Sequence, residues 1–124
     1  MKKTDFNALR DRVYKNAVNH GFHDEKHSLY HYLMLVVTEL GEAVEADRKG
    51  KYAQRRMFED NYDTPQVNPD SHWMFCFETF IKDTVEDELA DAAIRLLDIA
   101  GLMDMGKYMI ITLRKKLIRI CLKH

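Results

Sequence analysis

Proline occurs only twice in this chain, at Pro65 and Pro69, and apolar residues recur at helical intervals along most of the rest. Proline removes a backbone donor and blocks a helix interior, so its confinement to one stretch leaves two long tracts free to be helical. From Asp5 to Asn19, Phe6, Leu9, Val13 and Ala17 form one stripe, and Gly21 in "NHGFHDEKH" predicts a stop. Ser28 predicts an N-cap for a second helix from about Leu29 to Lys49, ended by Gly50. Asp83 or Thr84 can cap a third, Val85 to about Ala100, ended by Gly101; a last helix runs from about Lys107 to Leu122. Lys51 to Lys82 reads as irregular, a turn-rich "EDNYDTPQVNPDSH" followed by the aromatic "WMFCFETF". The expected architecture is all-α: a single domain over 1–124, four-helix bundle-like, with a long insertion at about 51–82 between the second and third helices.

A length of 124 residues suits one domain, and 46% hydrophobic with 31% charged residues describes a globular chain. A small α domain often completes its core by oligomerising. The formal net charge of -1 argues against a nonspecific nucleic-acid binder. No apolar run is long enough to span a bilayer, and "MKKTDFNALRDRVY" lacks the apolar segment of a signal peptide. Cys76 and Cys121 form no metal-type pair, and two reduced thiols fit a cytoplasmic protein.

The second helix carries Leu33, Val36, Val37, Leu40 and Val44 as its apolar stripe, expected against the core. Glu39 and Glu42 lie off that stripe, yet their neighbours on the wheel are Leu35, Ala43 and Ala46. In the third helix Val85, Leu89, Ala92, Ala93, Leu96, Ile99 and Ala100 cover one broad side. A narrow polar wedge remains, holding Asp87, Glu88, Asp91, Arg95 and Asp98. Carboxylates three apart point the same way. Glu39 with Glu42, and Glu88 with Asp91, can therefore offer oxygen ligands from two facing helices, a donor set suited to Mg²⁺ or Mn²⁺. The competing explanation is a pair of solvated faces, with Glu45 and Lys49 as an ordinary i,i+4 pair.

"ELGE" followed by "EDELAD" resembles the E-x-x-E … E-x-x-D signature of the MazG-like all-α nucleoside triphosphate pyrophosphohydrolases. The resemblance covers most of residues 19–101, including "EADRKG" after the first pair and "ADAAIRLLDIAG" after the second. It implies Mg²⁺-dependent hydrolysis of a (deoxy)nucleoside triphosphate to the monophosphate and pyrophosphate, in a homodimer or homotetramer. The motif carboxylates carry over as metal ligands Glu39, Glu42, Glu88 and Asp91, with Glu42 as the expected base. The loop "GFHDEKH" resembles a segment that helps enclose the nucleotide, which makes Phe22 and His23 base-contact candidates. Arg95 from the polar wedge, and Arg114, Lys115 and Lys116 from the tail, are candidates for substrate phosphates.

Two features depart from the family pattern. The 45 residues between Glu42 and Glu88 exceed its usual spacing, and the tail "GKYMIITLRKKLIRICLKH" has no asparagine. The alternative function is accordingly a non-catalytic helical oligomer that keeps the fold. A carboxylate-bridged di-iron bundle ranks lower, because no Glu is followed three residues later by His. His23, His27 and His31, spaced by four, are either a Zn²⁺-binding row or ordinary polar histidines. Trp73, Phe75, Phe77 and Phe80 either stack on a base or pack in a core or dimer contact. The basic tail is either an anion-binding surface or a solvated face of a packed helix.

Overall fold

The computed structural model describes residues 5–63 and 69–123, with side chains through residue 118. The expected turn around Pro65 and the side chain of Cys121 lie outside the described residues. All regular structure among the described residues is helical: α1 (Phe6–Asn19), α2 (Leu29–Arg48), α3 (Arg55–Tyr62), α4 (Pro69–Phe80), α5 (Val85–Leu102) and α6 (Gly106–Lys123). None of these helices is long and apolar enough to cross a membrane. The four expected helices are present, and the stretch expected as irregular holds two more, α3 and α4.

The chain divides into two compact units, one of residues 1–34 and 93–124, the other of residues 35–92. In the first unit α1 packs against α6. Asp5 caps α1, its carboxylate accepting from the Asn7 and Ala8 backbone N–H groups at 2.9 and 3.4 Å. The other end closes at Gly21, whose φ of 79° lets the Phe22 N–H return to the Ala17 carbonyl at 3.0 Å. Gly101 does not stop α5. It lies inside the helix, and a Cβ there would meet Tyr14 Cβ at 2.6 Å. The glycine serves a close approach of Tyr14, and the left-handed turn falls instead at Asp104, where Met105 N–H bonds the Ala100 carbonyl at 2.9 Å.

In the second unit α3 and α4 pack together. His72 on α4 reaches the Asn61 carbonyl of α3 with Nε2 at 2.6 Å, and Cys76 Sγ lies 3.6 Å from the same nitrogen, fully buried. The segment 51–54 ties the elements of this unit together. Lys51 N–H returns to the Ala46 carbonyl, Gln54 N–H reaches the Phe80 carbonyl, and Val85 N–H reaches the Lys51 carbonyl, at 2.8, 2.9 and 3.0 Å. Thr84 then caps α5, its Oγ1 accepting from Asp87 N–H at 3.3 Å, while the Asp87 carboxylate accepts from Asp83 N–H at 2.8 Å.

The buried face of α2 is not the expected one. Leu33, Val37, Leu40 and Val44 are exposed, and the buried positions are Tyr32, Val36, Glu39, Ala43 and Ala46. On α5, Leu89, Ala93 and Leu96 are likewise exposed, and Glu88, Ala92, Asp98, Ile99 and Ala100 are buried. Each helix carries two adjacent stripes at 3- and 4-residue intervals, and the fold turns inward the one with the smaller and more acidic residues.

The glycine contacts yield a paired test. Gly101→Ala pushes a methyl into the base of the Tyr14 side chain and should lower stability by about 1–3 kcal/mol in chemical denaturation. Gly106→Ala meets the Arg10 side chain from Cδ outward and not at its base, and should cost less than Gly101→Ala.

Candidate metal and acid–base site

Glu39 and Glu42 project from α2 three residues apart, and Glu88 projects from the first turn of α5. One carboxylate oxygen from each lies within 4.8 Å of the other two. Glu39 and Glu88 are buried, at 9% and 8% exposure, whereas Glu42 is open to solvent. Ala43 and Ala46 share the buried face of α2, and small side chains give two carboxyl-bearing helices room to approach. Asp91 lies one turn along α5 from Glu88 and acts on it through its charge.

These neighbours change the acidity of Glu88. Burial raises its pKa first, then its hydrogen bond with Glu42, then the negative charges of Glu42, Asp91 and Asp87, from an ordinary 4.5 to about 7. The N-terminus of α5 opposes this shift with its positive end, and the shift prevails nonetheless. Carboxylates held this close in a poorly solvated position are costly unless a proton or a cation lies among them. The donor set is all oxygen, which fits Mg²⁺ or Mn²⁺ and not a soft metal. A second acidic trio, Asp83, Asp87 and Glu88, has oxygens within 4.8 Å too. There the Asp87 carboxylate is engaged with the Asp83 N–H, as part of the α5 cap.

The other candidate residues belong to the unit of residues 1–34 and 93–124. The Arg95 guanidinium stands over the exposed Phe22 ring, 5.7 Å from its centroid. His23 Nε2 lies 2.8 Å from Asp98 Oδ1 and its Nδ1 lies 3.3 Å from the Tyr32 hydroxyl, with both side chains of the His23–Asp98 pair largely buried. The Tyr14 ring flanks His23 at 5.5 Å. Asp98 and Tyr32 are thus partners of His23 that sequence spacing gave no means to pair, 75 residues separating His23 from Asp98. His27 and His31 stack on each other at 4.1 Å, and among the described residues no histidine joins a metal-type group. Arg114, Lys115 and Lys116 are exposed on α6, with Arg114 beside Asp5, Phe6 and Lys107 in a shallow depression. Trp73 and Phe77 stack at 5.4 Å, while Phe75 is exposed. Glu45 pairs with Lys49 at 3.3 Å, as an i,i+4 pair should.

A raised carboxyl pKa makes stability depend on pH in a defined sense. Without added cation, the contribution of Glu88 is fully present below about 4.5, where both states hold the proton, and is lost as pH rises toward about 7. Thermal denaturation of wild type across that window should show the loss, and Glu88→Gln should flatten it. An equal slope in both proteins would contradict the assignment. Comparison of the chain with family models, curated proteins and solved structures finds no match.

Proposed function

We propose that the protein is a Mg²⁺-dependent hydrolase that cleaves a (deoxy)nucleoside triphosphate to the monophosphate and pyrophosphate, working as a homodimer or homotetramer. The observation that carries this reading is the convergence of Glu39, Glu42 and Glu88 within 4.8 Å, with Asp91 one turn away. It adds to the MazG-like pattern of "ELGE" and "EDELAD".

In this reading Glu39, Glu88 and Asp91 hold the cation, with Mn²⁺ as a substitute. The bound cation supplies charge neutralisation for the triphosphate and polarisation of the α-phosphoryl group. Glu42 is the solvent-open member of the trio, so its carboxylate is the one a substrate water can reach. Glu42 takes the proton of that water as its oxygen bonds to the α-phosphorus. The bond from the α-phosphorus to the bridging oxygen breaks, and pyrophosphate leaves with that oxygen. Phe22, His23, Arg95, Arg114 and Lys115 remain the candidates for base and phosphate contacts. The chain has no Gly-rich phosphate loop of the kind used in γ-phosphoryl transfer, which favours attack at the α-phosphorus.

A panel of canonical and modified (deoxy)nucleoside triphosphates with Mg²⁺, scored separately for pyrophosphate and orthophosphate, tests this. Pyrophosphate should be the first product. Glu42→Gln should lower kcat by about 10²–10⁴-fold with the helical signal unchanged. Asp91→Asn should abolish turnover, and Glu45→Gln should matter little. Orthophosphate released first, or full activity in Asp91→Asn, would remove the mechanism. Mg²⁺ binding without turnover of any substrate would favour the non-catalytic oligomer.

A further inference from the structure

From Ile111 to Ile118 every residue of α6 is exposed, and Ile111, Leu113, Leu117 and Ile118 among them are large and apolar. A helix of a globular domain usually turns such residues inward and shows a polar face to water. The inward contacts of α6 lie elsewhere. It packs against α1, where Gly106 is buried beside the Arg10 side chain. Both helices belong to the unit of residues 1–34 and 93–124, so the pattern is established within that unit.

The exposed side is ordered in lines, because residues seven apart nearly superpose on a helix. Ile111 and Ile118 share one line, at 53% and 60% exposure. Taking 100° per residue, Lys107 and Arg114 share the line about 40° to one side of it, and Tyr108 and Lys115 the line about 60° to the other. All four flanking residues are exposed, Tyr108 at 70%. The Lys107–Arg114 line borders the shallow depression that Asp5, Phe6 and Asn7 close at the start of α1. Over Gly106–Lys123 the helix carries six Lys and Arg and no Asp or Glu. Its unit holds thirteen Lys and Arg against six Asp and Glu, a formal +7 that the chain's net charge of -1 conceals.

We propose that this side of α6 docks on an anionic lipid bilayer, with the helix lying in the headgroup plane. An interfacial helix needs apolar side chains that enter the acyl boundary and cations beside them that hold lipid phosphates. Ile111 and Ile118 supply the first, and Lys107, Arg114 and Lys115 the second. The long stems of Lys and Arg let their charges rise to the headgroups while the isoleucines go deeper. Tyr108, with an apolar ring and a polar tip, suits the same boundary. A nucleic acid would engage the cations through its phosphates and gain nothing from a line of isoleucine between them. The helix is not long and apolar enough to cross the bilayer, so the contact is with one leaflet. Docking uses Arg114 and Lys115 on lipid and requires nothing of the carboxylates or of the hydrolysis proposed for them.

Co-sedimentation of the whole chain with vesicles, without nucleotide or added metal, tests the docking. Vesicles of phosphatidylcholine with about 30% phosphatidylglycerol should bind it, and phosphatidylcholine alone should bind it at least about tenfold more weakly. Ile111→Ser combined with Ile118→Ser should weaken binding by roughly a hundredfold with helicity unchanged, because both side chains are already exposed. Lys115→Gln should weaken it roughly fivefold. Phe75→Ser, on α4 of the other unit, should leave it unchanged. In a Trp73→Phe background, Ile118→Trp should show blue-shifted emission on the anionic vesicles and quenching by brominated acyl chains. Absence of binding to the anionic vesicles, equal binding to both vesicle types, or undiminished binding by the isoleucine double variant would overturn the proposal. So would binding to an RNA or DNA oligomer in place of vesicles, which would assign the cations to nucleic acid. A wild-type oligomer that the double variant converts to monomer would assign the isoleucine line to a second copy and overturn it too.

Discussion

The close approach of the Glu42 and Glu88 carboxylates, with oxygens within 4.8 Å of each other, constrains how α2 and α5 can pack. It joins α2 to α5 through two groups that repel when both are charged. Its cost falls only when a proton or cation intervenes. The surroundings accommodate it by being small rather than greasy, with Ala43, Ala46 and Ala92 where a bundle usually places leucine. A site that needs carboxylates on its inner face therefore dictates which side of each helix can pack inward, and hence which side is left over.

The start of α5 is held more firmly than its length would suggest. Thr84 Oγ1 accepts from Asp87 N–H, the Asp87 carboxylate accepts from Asp83 N–H, and the Glu86 carboxylate accepts from Ala53 N–H at 2.8 Å. The Tyr52 hydroxyl donates to Asp47 near the end of α2. Residues 51–54 thus tie the end of α2 and the beginning of α5 to one short segment. That bracing fixes the angular position of Glu88 one turn further on. Precision at the carboxyl group comes from caps and backbone bonds, not from a large core.

Much of this was legible in the sequence where the signal was local. Thr84 caps α5 as its side-chain chemistry predicts, and Gly21 and Gly50 end their helices in the left-handed region. The helical content of 55–80 was hidden because Asp, Asn and Pro dominate its polar part, and the apolar residues of α4 surround the helix instead of forming one stripe. Gly101 reads locally as a stop and is overruled by Tyr14, a contact 87 residues away in sequence. The carboxylate spacing on α2 and α5 was plain, but the choice between two adjacent stripes was not. Apolarity ranks Leu33, Val37, Leu40 and Val44 first, and the acidic partner on α5 selects the other. The His23–Asp98 pair had no local signal at all.

Cys76 offers a different view of the same molecule. Its sulfur is enclosed completely, beside the histidine that links α4 to the Asn61 carbonyl of α3. A thiol reagent in solution cannot reach it while these helices remain closed. In a Cys121→Ser chain, the rate of alkylation therefore measures how often the α3–α4 pair breathes, as a kinetic clock that needs no label and no change to the residues around it.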